Sequence, residues 1–320
     1  MVQESDFRMV ETPVPVLKDG EMLLQALYLS VDPYMRGRMN AGKSYAPPVE
    51  IGGLMVGGGV AEVVESKNTA FAAGDVAVGQ TGWQEYAVAN ALGWRKLDQT
   101  AAPVSTALGV LGMPGLTAHF GMHDVCSIKP FDSVVVSGAA GAVGSIAGQI
   151  AKLAGCRVVG IAGGPRKTGF LIDECGFDAA LDYKANDNYA ASLRELCPGG
   201  IDAYFDNTGG PISDAVFSQL NAHARVAVCG QIAQYNETQP SLGPRMLRHI
   251  LVARAKVQGF LIVDYGPSQT AAALAELTGW VRSGKLKYRE DIVEGFENLP
   301  RAFIGLFSGE NIGKRLVKAA

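Results

Sequence analysis

The chain has 320 residues, 48% of them hydrophobic and 18% charged, an ordinary globular balance that excludes wholesale disorder. A formal charge of −3 gives no electrostatic footprint for nucleic acid. No apolar run approaches the roughly 20 residues that span a bilayer, and the opening residues 1–10 lack the basic start and apolar core of a secretory leader. A cytoplasmic enzyme of two domains is expected.

The first hundred or so residues read as short strands between glycine-rich turns, at residues 21–29, 58–65, 75–79 and 83–89. They predict a compact, mostly β, barrel-like domain. From about Gly109 the period changes, and strand-like runs alternate with helical stretches, the signature of βαβ units on a parallel sheet. Strands are expected at residues 133–137, 157–162, 179–182, 203–205, 225–229 and 257–262. Helices are expected between them at 142–153, 165–175, 188–197, 211–220 and 244–252, with Pro165, Pro211 and Pro244 in first helical turns. Six strands with helical crossovers make a doubly wound Rossmann domain over 109–286. The tail from Lys287 reads as turn-rich and strand-like. It is expected to rejoin the N-terminal domain, so that 1–108 and 287–320 form one discontinuous unit.

The most informative stretch is Ser137-Gly-Ala-Ala-Gly-Ala-Val-Gly144, which joins a β-branched strand to a small-residue helix. Glycines at Gly141 and Gly144 let backbone N–H groups approach a pyrophosphate, and the helix N-terminus adds partial positive charge. A glycine-rich turn alone is weak evidence, but here strand, turn, helix and next strand fall in register. At the end of the next strand, an NAD-preferring site carries an acid for the ribose hydroxyls. This chain has Ala162-Gly163-Gly164-Pro165-Arg166-Lys167 instead. Two cations and no acid favour a 2′-phosphate, and so NADPH over NADH.

Five cysteines, Cys126, Cys156, Cys175, Cys197 and Cys229, are scattered without close spacing. They form neither a disulfide framework nor a zinc lobe. The four histidines, His119, His123, His223 and His249, all lie outside the N-terminal β domain. The ligands of a catalytic zinc are therefore missing, and no metal is expected. Without a Lewis acid, hydride addition to a conjugated alkene is a better proposal than reduction of an isolated carbonyl.

Further motifs are Leu29-Ser-Val-Asp-Pro-Tyr-Met-Arg-Gly-Arg-Met39, Gly112-Met-Pro-Gly-Leu-Thr-Ala118, Phe205-Asp-Asn-Thr-Gly-Gly210, Cys229-Gly-Gln-Ile-Ala-Gln-Tyr-Asn236 and Gly309-Glu-Asn-Ile-Gly-Lys314. On these, and on the Ser137–Gly144 turn, the chain resembles the medium-chain dehydrogenase/reductase superfamily. Within it, the chain is similar to the zinc-free leukotriene B4 dehydrogenase/prostaglandin reductases and curcumin reductases, which are NADPH-dependent alkenal/one oxidoreductases. The motifs run nearly the length of the chain in the family's order. Family members usually carry some fifteen further residues, including a first strand, before the equivalent of Ser5-Asp6-Phe7-Arg8. Two readings of this stay open: the start is misassigned, or the N-terminal domain is clipped by a strand.

The resemblance implies a GroES-like fold for that β domain, and a homodimer to which residues 257–262 offer a sheet edge. It implies NADPH held by Gly141, Ala142, Val143, Gly144 and Ser145 at the pyrophosphate. Gly163, Lys167 and Tyr183 take the 2′-phosphate end. Asn207, Cys229, Gly230, Gln231, Tyr235, Phe260, Leu261, Ile262 and Asn311 take the rest of the groove. It implies reduction of the C=C bond of a small enone or enal by hydride transfer to the β-carbon. Tyr235 and Tyr45 are the donors to the developing enolate oxygen, because a phenol donates strongly yet stays protonated near neutral pH. Tyr34 and Arg36 are weaker candidates for substrate binding, and Arg36 and Arg38 equally fit a role anchoring a loop. Two other readings stay open: a quinone oxidoreductase on the same fold, and a non-catalytic NADPH-binding redox sensor.

Overall fold

The computed structural model describes residues 1–239 and 241–320. The chain divides into two compact units, one of residues 1–109, 290–311 and 315–320, the other of residues 110–289 and 312–314.

The first unit is a mixed sheet centred on β1 (Met22–Ser30). Alternate residues Met22, Leu24 and Ala26 are buried, the period-2 pattern of a strand with one face in a core. One edge of β1 pairs antiparallel with β2 (Gly58–Ser66), which continues to β3 (Val76–Gln80) and the short β5 (Arg95–Lys96). The other edge takes β4 (Tyr86–Ala89) along Met22–Gln25 and β13 (Lys314–Lys318) along Tyr28–Ser30. Two register shifts between β1 and β2 bend the sheet. The expected strand at residues 83–89 begins only at Tyr86, because the Trp83 ring turns inward to stack on Phe7 with ring centroids 5.4 Å apart.

After β1 comes the one-turn helix α1 (Met35–Arg38), and the C-terminal return supplies β12 (Glu290–Glu294) and α9 (Leu299–Ser308). That return corrects the strand-like reading of the tail. Leu299, Ala302, Phe303 and Leu306 recur at helical spacing and are buried, and Phe303 meets Trp83 edge-on at 5.8 Å. Gly309, with φ of +69°, ends the helix in the left-handed conformation.

Among the described residues the second unit holds six strands: β6 (Ser133–Ser137), β7 (Arg157–Ala162), β8 (Ala179–Asp182), β9 (Ile201–Asp206), β10 (Leu220–Val228) and β11 (Lys256–Gly259). All pairings are parallel, in the order β11-β10-β9-β6-β7-β8. This is the doubly wound Rossmann order, and it reverses between β6 and β9. In the central strands β6 and β7 the runs at residues 134–136 and 158–162 are apolar and buried because both faces are covered. The helices are α2 (Met113–Phe120), α3 (Gly144–Leu153), α4 (Pro165–Gly169), α5 (Tyr189–Leu196), α6 (Gly210–Phe217), α7 (Met246–Ala253) and α8 (Pro267–Arg282).

Three expectations change here. The stretch 165–175 is α-helical only to Gly169 and then forms a π turn, closed by the Cys175 N–H to Phe170 C=O at 3.1 Å. Pro244 lies before α7, whose N-cap is Arg245. The last strand stops at Gly259, because the Leu261 N–H turns to the Asp264 carboxylate at 3.0 Å and opens a 3-10 turn. No helix among the described residues is long and apolar enough to cross a membrane.

Candidate active site

Beyond β6 the backbone reverses through Gly138, whose φ of +57° suits glycine. The Gly141 N–H bonds the Gly138 C=O at 3.0 Å, and the Ser145 hydroxyl and N–H close on the Gly141 C=O at 2.8 and 3.1 Å. A Cβ at Gly144 would stand 2.4 Å from the Gly138 carbonyl oxygen, so a glycine is needed for the turn to close. No side chain caps α3. The amides from Ala142 through Gly144 open the helix, where its partial positive charge suits a pyrophosphate. Gly313 completes the turn, donating its N–H to the Ala140 C=O at 2.8 Å and bridging Gly141.

At the end of β7, Gly163 lies beneath Tyr183. A Cβ there would stand 2.7 Å from Tyr183 Cζ and 3.0 Å from Lys184 Cε. Lys167, on the first turn of α4, donates its N–H to the Gly164 C=O at 3.1 Å. The structure therefore adds Lys184 to the cations Arg166 and Lys167. It also brings in a carboxylate. Asp182 Oδ1 accepts the N–H groups of Gly164 at 2.7 Å and Lys184 at 2.9 Å, which fixes both turns around it. Burial raises the Tyr183 phenol above its usual range, with Tyr189 and Asp182 adding to the shift, so it is a neutral donor at pH 7.

At the carboxyl edge of β9, Asp206 is 2% exposed. It accepts from the N–H groups of Thr208 and Gly209, both at 2.9 Å, from the Tyr204 hydroxyl at 2.9 Å and from the Ser213 hydroxyl at 2.7 Å. Burial, then the Asp206 charge, pushes the Tyr204 phenol well up. The network holds the strand end from which Asn207 reaches back, its side-chain amide donating to the Ser137 C=O at 2.7 Å. The tips of β6 and β9 are thus tied together where the strand order reverses.

The next strand end belongs to the same edge. The Cys229 N–H bonds the Asp206 C=O at 2.9 Å, and desolvation, with Asp206 adding, pushes the Cys229 thiol up to about 12. A Cβ at Gly230 would lie 3.2 Å from the Asn207 carbonyl oxygen and 3.3 Å from the Tyr235 hydroxyl. That hydroxyl accepts the Gln231 N–H at 3.2 Å. Asn207, Gly230, Gln231 and Tyr235 therefore converge at one point. Phe260 does not present its side chain to this edge: it is buried edge-on to Phe205 at 6.3 Å, while Leu261 and Ile262 are partly exposed.

Within the first unit, Tyr34 follows the Asp32 and Pro33 turn that starts α1. Burial raises its phenol strongly, and the Asp32 charge acts in the same direction while Arg38 opposes it. The Tyr45 side chain is exposed. Arg36 donates to the Asn40 side-chain oxygen and Arg38 to the Pro47 C=O, so the loop-anchoring reading fits both. Asn311 is half-buried and directly precedes the three residues 312–314 that belong to the second unit.

A doubly wound sheet with a glycine-closed turn at its switch point and cations at the next strand end defines a dinucleotide-binding protein suited to a 2′-phosphate. Residues 1–97 match the model for the N-terminal domain of oxidoreductase, and residues 142–279 match that for zinc-binding dehydrogenase. The chain is 49% identical to a putative NADP-dependent oxidoreductase, YfmJ, of Bacillus subtilis, over 98% of this chain and 93% of that one. It is 46% identical to prostaglandin reductase 1 of Bos taurus, over 98% and 94%. The crystal structure of CurA in complex with NADPH from Vibrio vulnificus is 45% identical, with a TM-score of 0.93 over 97% of this chain and 93% of that one. The chain belongs to the medium-chain dehydrogenase/reductase family and is an NADP-dependent oxidoreductase.

Proposed function

We propose that this enzyme reduces the C=C bond of small α,β-unsaturated ketones and aldehydes, with hydride added to the β-carbon and no catalytic zinc. When bound, NADPH supplies the hydride. The observation that carries the reading is the Tyr235 hydroxyl, set over Gly230 beside Asn207 at the carboxyl edge of the sheet. It accepts the Gln231 N–H at 3.2 Å, and a phenol can also donate to an oxygen on which negative charge develops. Ala142–Ser145 hold the pyrophosphate, and Lys167 and Tyr183 hold the 2′-phosphate with Lys184. For Tyr45, Tyr34, Arg36 and Asn311 the reading rests on the family resemblance alone.

Independence from zinc rests on residue type. Residues 1–109 and 290–320 contain neither cysteine nor histidine, so that part of the chain offers none of the thiolate or imidazole ligands that a catalytic zinc prefers. A homodimer formed along the exposed edge of β11 belongs to the same proposal, and light scattering in solution reads it directly.

The test follows NADPH absorbance with a simple enone, the matching saturated ketone and 1,4-benzoquinone, and identifies the products. Turnover of the enone to the saturated ketone is expected. Reduction of the carbonyl, or turnover of the quinone alone, overturns the reading.

A further inference from the structure

We propose that His119, His123 and Glu276 form a surface site for one late first-row divalent ion, such as Zn2+ or Ni2+. None of the three is among the residues assigned above to the dinucleotide or the substrate. His119 lies in the last turn of α2, which passes without a break into a π turn at Gly121–Val125. The Cys126 N–H closes that turn on the Gly121 C=O at 2.9 Å. Four residues apart on a helical path, the two imidazoles share a face, and their ring centroids are 4.6 Å apart. The packed helix α8 brings the third group, with Glu276 Oε2 2.8 Å from His119 Nε2. One ligand atom from each residue lies within 4.8 Å of the other two.

Two imidazoles and a carboxylate are the donor types that Zn2+, Ni2+ and Cu2+ accept, and three protein ligands leave a position for water. Metal–ligand bonds of about 2.0–2.1 Å put tetrahedral ligand atoms roughly 3.3 Å apart. His119 and Glu276 are closer than this at 2.8 Å and the other pairs lie within 4.8 Å, so adjustments of at most about 1.5 Å are needed. The side chains that must move can do so. His123 and Glu276 are exposed, whereas His119, at 12% side-chain exposure, is the fixed anchor. Its ring is set edge-on to Phe120 at 5.3 Å and tilted against Trp280 at 6.3 Å. Its Nδ1 is buried with no hydrogen-bond partner. The Glu276 carboxylate holds the proton on Nε2; once an ion takes that carboxylate, the proton can pass to the unpartnered Nδ1 and the Nε2 lone pair turn to the ion. A bound ion would clamp α2 to α8.

The full chain, reduced and saturated with NADPH, is dialysed against Zn2+ alone in phosphate-free buffer and its metal content measured. Uptake of one Zn2+ per chain is expected. His123→Gln and Glu276→Gln, both at exposed positions, should each weaken it at least about tenfold, since even outer-sphere partners of a metal are worth that much. Enone turnover should be unchanged in both. Ni2+ gives a second readout, because Trp280 lies 6.5 Å from the His123 ring and its fluorescence should be quenched. No uptake of Zn2+, or uptake and quenching that persist in both variants, would overturn the proposal.

Discussion

Asp206→Asn keeps the shape of a buried side chain and removes the charge that its neighbours address. Oδ1 accepts from the Thr208 and Gly209 N–H groups and the Tyr204 hydroxyl, each at 2.9 Å, and from the Ser137 hydroxyl at 3.1 Å. Oδ2 accepts from the Ser213 hydroxyl at 2.7 Å. An amide placed the same way keeps an oxygen for the first set and turns an NH2 group toward Ser213, whose hydroxyl can reverse and accept, while the long Gln231 amide bond to Oδ2 at 3.4 Å is lost. The loss therefore lies mainly in strength: bonds to a charged acceptor contribute about 1.5–3 kcal/mol each and neutral ones about 1 kcal/mol. Four such reductions, partly offset by the lower desolvation of a neutral amide, leave about 2–3 kcal/mol of destabilisation. At about 2–4 °C per kcal/mol for a unit of this size, the thermal transition of the second unit should fall by roughly 4–12 °C. Calorimetry of wild type and variant measures this, and NADPH titration of the folded variant should show weaker binding, because Asn207 and the tip of β9 loosen. A transition within about 1 °C of wild type would mean that the buried carboxylate breaks even against its desolvation, and would refute the reasoning.

Two further substitutions test the proposed roles of single side chains. Tyr235→Phe should lower kcat for enone reduction by at least about 10-fold, roughly 1.4 kcal/mol in the barrier, with NADPH affinity near wild type. An unchanged kcat in steady-state assays would remove Tyr235 from the mechanism. Lys167→Ala should raise KM for NADPH far more than for NADH, and Lys184→Ala should do the same to a smaller extent, because a 2′-phosphate distinguishes the two cofactors. Equal effects on both cofactors would separate these lysines from the phosphate.

The parallel sheet was legible because short apolar runs such as those at residues 134–136 and 158–162 alternate with helical stretches between turn residues, and β6, β7 and β8 fall at the expected bounds. Helices were harder to bound. α9 is only ten residues long, and its buried face is spread among residues such as Pro300 and Gly305 that read locally as turn. The turn at Ser137–Gly144 was visible because all its parts are contiguous in the chain. What was not visible depends on pairing between distant strands. Asp182 and Lys184 follow Ala162 by some twenty residues, yet the parallel register sets Ala162 against Asp182. Lys184 and Asp182 are thereby delivered to Gly163 and Gly164. The sequence argument that no acid ends the second strand holds for β7 itself but not for its surroundings. What preserves the preference for a phosphate is where the Asp182 charge goes. Its Oδ1 is directed at two backbone N–H groups, while Arg166, Lys167 and Lys184 stand around the same turns. An acid that binds ribose hydroxyls must point at the ligand, and this one points at the chain.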